Sequence, residues 1–186
     1  MLQILNWLNA HLAAGGGLKV EGVAGGVPAQ VVGVSKAVTV TPTLTVAGLY
    51  ASGDFVGTSA TAMDFTPMAR AAAGSGLILG AQLVDDSAQT VPLELWLFHT
   101  APAGLPADNA AFTMTDAGAL NRICVIEFNT YYASALNTAS DGEIRNGHAP
   151  FVCATGDQSI FGVLVARGAP TYATGQLHIT LIAAQD

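Results

Sequence analysis

The sequence predicts an all-β chain, mainly antiparallel and closed as a sandwich or barrel, with one short helix ahead of it. Three observations carry this reading. Short β-branched and aliphatic runs recur along the chain, separated by Gly, Pro, Asp and Asn, as strands joined by turns require. No long helical period interrupts them. The chain has 186 residues, 51% of them hydrophobic, enough for one full core and too short for two ordinary domains.

The helix comes first. Over residues 1–14, Ile4, Leu5, Leu8 and Leu12 fall on one face, while Gln3, Asn6, Asn9 and Ala13 fall largely on the other. Gly15, Gly16 and Gly17 end it. A helix this short is marginal alone in water and needs a surface to pack on. Two surfaces are open to it: its own domain, or a neighbouring subunit reached through the Gly-rich stretch that follows. The chain therefore divides into a helix and Gly-rich arm over residues 1–28 and a β domain over residues 29–186.

Seven strand-like runs follow, at residues 31–40, 77–84, 91–99, 122–128, 151–154, 159–167 and 176–184. The first sets Val32, Val34, Val38 and Val40 on one side. The last alternates most cleanly, with Leu177, Ile179 and Leu181 inward against Gln176, His178 and Thr180 outward. Asn146-Gly147 reads as a hairpin turn. From Leu77 onward no helices lie between the runs, so the parallel crossovers that need them are not expected.

Two runs are apolar on both sides. In 91–99, Val91, Leu93, Leu95 and Leu97 oppose Glu94, Trp96 and Phe98; in 159–167, Ile160 and Leu164 oppose Phe161, Val163 and Val165. The second face is covered by a loop of the same chain, by a subunit interface, where aromatics are enriched, or by both. The loop over residues 100–119 is long for a strand connection and carries Leu105 and Phe112. Asp108 within it is a candidate cap for a short helical turn. The candidate interface set is thus Ile4, Leu5, Leu8, Leu12, Trp96, Phe98, Leu105 and Phe112.

Charge narrows the partners. There are 6 basic and 13 acidic residues, a formal net charge of −7. A soluble domain of this size usually carries about 46 charged residues, so an unusually large share of the surface must be uncharged. Part of it is expected to be covered by other protein copies. Lys19, Lys36, Arg70, Arg122, Arg145 and Arg167 are scattered, which argues against nucleic acid and against an anionic membrane surface. No apolar stretch reaches the length of a membrane helix, and no basic stretch announces a secretory leader.

Site chemistry is sparse. The chain has no phosphate-binding glycine loop following a strand and no nucleophile elbow. His11, His99, His148 and His178 do not fall at zinc-site spacings. Cys124 and Cys153 each sit in an apolar run and read as small buried hydrophobes. Asp85-Asp86 reads as a polar turn, and Asp54 and Asp64 lack the pattern of a calcium loop. No catalytic residue, cofactor or metal is expected.

The block Leu93-Glu94-Leu95-Trp96-Leu97-Phe98-His99-Thr100-Ala101-Pro102, continuing to Ala107-Asp108-Asn109-Ala110-Ala111-Phe112, is the most specific part of a wider resemblance. Upstream stand Tyr50 to Gly57 and Gly76 to Val84. Downstream stand Pro150 to Ala154, Ile160 to Leu164 and the strand with Ile179, Thr180 and Leu181. Over residues 38–184 the chain resembles a group of tailed-bacteriophage virion proteins. That resemblance implies a structural protein, most like a capsid decoration (cement) protein with a jelly-roll-like β-sandwich. It implies the major capsid protein as partner, self-association as a dimer or trimer, and a place on the capsid surface. The alternatives are another virion component (tail, adaptor or head fibre) or a jelly-roll carbohydrate-binding module stacking sugar on Trp96, Tyr131 and Tyr132.

Overall fold

A computed structural model of the chain describes residues 34–144 and 147–186. The expected helix and arm over residues 1–28, with Ile4, Leu5, Leu8 and Leu12, lie outside these residues.

The described chain is nearly all β. It runs β1 (Val34–Val40), β2 (Gly48–Leu49), β3 (Phe55–Val56), β4 (Met63–Phe65), β5 (Ser75–Asp85) and β6 (Leu93–Phe98). After a long loop come α1 (Asp116–Leu120), β7 (Arg122–Phe128), β8 (Tyr132–Ala133), β9 (Thr138–Ile144) and β10 (Ala149–Val152). The last strands are β11 (Ile160–Ala166), β12 (Thr171–Tyr172) and β13 (Leu177–Gln185). Eleven of these strands form one antiparallel sheet in the order β1-β13-β5-β9-β7-β6-β11-β3. Beside that path, β10 pairs with β5, β4 with β11 and β8 with β9, while β2 and β12 make a small separate ladder.

The sheet curls because β9 belongs to both of its halves. Residues Thr138 to Gly142 pair with β5, and then Glu143 and Ile144 pair with β7. Gly142 makes the transfer possible: a Cβ there would fall 2.4 Å from Cγ2 of Ile126 and 2.7 Å from Cε1 of Phe128. After the excursion the chain returns to β5, where β10 continues along the same edge beside Ser75 to Ile78. Of the expected hairpin turn at Asn146-Gly147, Asn146 lies outside the described residues, and the flanking strands β9 and β10 do not pair with each other. β9 and β10 run in the same direction, and Gly147, at φ +83°, turns the chain back towards β5.

One core joins the halves. From the β5–β13 side come Ile78, Ala81, Leu83, Leu177, Ile179, Leu181 and Ala183; from the β6–β7–β11 side come Leu93, Leu95, Leu97, Ile126, Phe128, Ile160 and Leu164. The inward alternation expected for 176–184 holds throughout β13. Burying each large aliphatic side chain contributes roughly 1.5–3 kcal/mol, so this shared core dominates the stability of the fold.

Asp108 does not cap a helix. The cap of α1 is Thr115, whose hydroxyl accepts from the Gly118 N–H at 3.1 Å. Asp108 instead is 3% exposed and accepts from Val46 N at 2.7 Å, Tyr50 Oη at 2.9 Å and Gly57 N at 3.1 Å. It pins the long loop to the segment that carries β2 and β3. Beside it, burial first and the Asp108 contact second push the Tyr50 hydroxyl well above the usual tyrosine range.

Candidate functional site

The two halves of the sheet have different outer faces. On the β6–β11 half, Phe98, Val163 and Val165 point away from the main core and are fully buried. They form a second apolar cluster with Phe55 and Leu105, flanked by Trp96, Phe112, Met114 and Phe161. The covering element is the loop after β6, tied down by Asp108. The chain's own loop is thus one covering of this face.

That places four of the residues expected at an interface. Phe98 is 0% exposed and Leu105 is 7% exposed, so both are spent inside the chain and offer a partner almost no surface. Trp96 and Phe112 are half-buried, in an edge-to-face contact with ring centroids 5.4 Å apart.

The outer face of the other half has no such cover among the described residues. Leu77 and Leu79 point outward from β5, with Ile182 and Ala184 beside them on β13 and Pro150 and Val152 on β10. Leu79 is 48% exposed and Val152 is 54% exposed. Across the same face towards the far end of the strands the surface turns polar. There Thr39 and Thr180 pair their hydroxyls at 2.7 Å, Gln82 donates to Asp141 at 3.3 Å, and His178 sits between Thr41 and Asp86. Asp186, held by the Ser75 hydroxyl at 2.6 Å, stands at the margin of the apolar end.

A cleft of about 430 Å³ lies on the β6–β7 side, lined by Glu94, Trp96, Arg122, Cys124, Glu127 and Arg167 with Ile123, Val125 and Ile144. Glu94 stands directly opposite Glu127, and Glu127 opposite Glu143. Like charges so placed cost a sheet stability. Arg167 compensates in part: its Nη2 donates to Glu94 Oε2 at 2.6 Å, and that bond holds the guanidinium charged above its ordinary range. Trp96 Nε1 donates to the same oxygen at 2.9 Å, and the Arg122 guanidinium lies 5.2 Å from the indole centroid.

Other titratable groups make contacts within the fold. Cys124 and Cys153 are both free thiols, and burial pushes each up to about 11, far from a reactive thiolate at neutral pH. Tyr131 is spent on the fold, its hydroxyl donating to the Val91 carbonyl at 2.5 Å; Tyr132 is 63% exposed on β8. His99 Nδ1 meets the Val152 carbonyl at 2.8 Å, a contact between distant parts of the chain. Among the described residues no group of three His, Cys, Asp or Glu side chains is placed to hold a metal, and no helix is long and apolar enough to cross a membrane.

No protein-family model, curated protein or solved structure matches the chain.

Sequence reasoning missed the open apolar face, although Leu77, Ile78 and Leu79 in a row already say that β5 is apolar on both sides. It also missed the Asp108 anchor and the Glu94–Glu127 pairing. Those two depend on long-range register, which local patterning does not carry.

Proposed function

We propose that the chain is a structural virion protein that decorates and stabilises a tailed-bacteriophage capsid, binding the shell of the major capsid protein as a dimer or trimer on the capsid surface. The observation that carries this reading is the apolar end of the outer face, at Leu77, Leu79, Val152 and Ile182. A contiguous apolar patch rimmed by polar groups marks a protein-interaction surface. The low charge of the whole sequence points the same way, and the resemblance supplies the kind of assembly.

The finer architecture belongs to the same proposal: a jelly-roll sandwich. Its support is the pairing order. Setting aside the short β2, β8 and β12 and taking β3 with β4 and β9 with β10 as single strands leaves eight strands, of which the first pairs with the last, the second with the seventh, the third with the sixth and the fourth with the fifth. This is a long hairpin wrapped into two Greek keys.

The test is to mix the protein with undecorated capsid shells. Saturable binding that raises the melting temperature of the shells is expected, and it should be lost in the double variant Leu79→Lys, Val152→Lys. Absence of saturable binding by the unaltered protein overturns the proposal. Labelling in native particles then separates the head surface from a tail, adaptor or head-fibre position.

A further inference from the structure

The apolar end of the open face has an outline that selects what covers it. One row runs straight across four strands, through Ser35 on β1, Ala184 on β13, Leu77 on β5 and Pro150 on β10. On one side of this row Ala37 pairs with Ile182, and Leu79 is left unpaired by the register shift of β5 against β13. On the other side Val152 pairs with Ser75. Strands lie about 4.8 Å apart and same-face residues about 6.8 Å apart, so these positions together cover about 300 Å². A specific interface takes about 800 Å² from each partner. Two such faces pressed together therefore fall well short of a stable dimer.

The sequence holds a segment of the right size. Residues 1–14 carry Ile4, Leu5, Leu8 and Leu12 at helical spacing and contain no Asp, Glu, Lys or Arg. As a helix they would be about 21 Å long, against about 19 Å for four strands side by side. Docking such a segment takes none of its side chains out of water as a charge. Ser35, Ala37 and Ala184 are small, so a helix can approach β1 and β13 closely while its leucines meet Leu77, Leu79 and Ile182. The place where the described chain begins fits as well. Val34 is in register with Gln185, Gly76 and Phe151, in the row next to Leu77, so the preceding chain joins β1 at the apolar end of the face. Residues 15–33 are rich in glycine, and a flexible tether of that length has a root-mean-square span of about 24 Å, enough to reach a neighbour.

We infer that residues 1–14 of one copy dock on this face of a second copy, and that the copies exchange these segments reciprocally. The inference rests on the reading of the face as an interface and names its occupant. Each copy then contributes both a face and a segment, and a pair buries about 1,200 Å² in total, where the standard size range begins. A segment docked on its own chain would leave the copies unlinked.

The test uses full-length chains with Cys124→Ala and Cys153→Ala. One chain carries Leu8→Cys and another Leu79→Cys, and the two are mixed with oxidised glutathione. A covalent dimer joining the two chains is expected, with at least tenfold more of it than when Gln82→Cys, at the polar end of the face, replaces Leu79→Cys. In the chain with its native cysteines, Leu5→Asp with Leu8→Asp should leave the melting temperature of the β domain unchanged and sediment as a monomer at concentrations where the parent self-associates. The inference is overturned if the parent itself sediments as a monomer, if the mixed chains fail to join, or if the disulfide forms only within a chain that carries both cysteines. It is overturned equally if Leu5→Asp with Leu8→Asp self-associates as the parent does. No shells are present in these measurements, so a protein that joins its copies but binds no shell defeats the capsid proposal alone.

Discussion

The β6–β11 half and the β1–β13–β5–β10 half of the sheet begin from the same difficulty and solve it differently. Each has strands that are apolar on both sides, so one core cannot bury both faces. On the first half, the loop after β6 folds back and builds a second small core over Phe98, Val163 and Val165. On the second, Leu79 and Val152 stay about half exposed. The difference teaches where to look for a partner: a two-sided apolar strand signals a covering, and only the three-dimensional structure says whether the same chain supplies it.

The loop's cover hangs on one buried carboxylate, which gives the largest expected effect. In Asp108→Ala the donors at Val46 N, Tyr50 Oη and Gly57 N lose their acceptor, and orphaned buried donors cost 1–3 kcal/mol apiece. Allowing for relaxation, a loss of about 4 kcal/mol in urea unfolding is expected. The covered half would then resemble the open one, with increased binding of a dye that detects apolar surface. A loss below about 1 kcal/mol with the loop still protected from hydrogen exchange would show that apolar packing alone holds the cover.

A smaller effect comes from the thiols, one on each half. Cys124 lies on β7, while Cys153 follows β10 and is buried in the shared core. Burial raises both from the usual value near 9 to about 11, so the folded chain keeps protons that the unfolded chain releases. Their contribution is constant below pH 9 and lost as pH rises from about 9 towards 11. The Tyr50, Tyr131 and Tyr172 hydroxyls, also raised by burial, extend the loss to higher pH. The double variant Cys124→Ala, Cys153→Ala should show a flatter stability profile across that window. A profile as steep as the parent's would place the alkaline sensitivity elsewhere.

The architecture was largely legible in the sequence. All seven runs became β1, β5, β6, β7, β10, β11 and β13, because each carries enough β-branched or aliphatic residues to show a period. β9 was not legible: Thr138-Ala139-Ser140-Asp141-Gly142-Glu143-Ile144 is mostly polar. What makes it a strand is its neighbours, β5 on one side and β7 on the other. β2, β3, β8 and β12, two residues each, and β4, at three, are too short for any period. Of the candidate interface, Trp96 and Phe112 lie half-buried, and the burial of Phe98 and Leu105 depends on where a long loop lands. That landing is decided by Asp108, whose partners are dozens of residues away.

The smallest effect on stability is expected at the open face, and it is the most informative. Leu79 and Val152 each make part of their contacts with solvent, so replacing both by Lys should change unfolding free energy by no more than about 0.5 kcal/mol per site. Lysine's aliphatic stem can lie along the sheet while its charge stays in water. A face that matters only to the isolated chain would therefore tolerate the change without consequence. A face that is covered in the working state would not, because burying two unpaired ammonium groups opposes docking strongly. Sedimentation of the double variant beside the parent separates the cases: an unchanged melting temperature with loss of self-association or shell binding assigns the face to an interface. An unchanged assembly would make this half of the sheet free surface and leave the low charge of the sequence to be explained by another region.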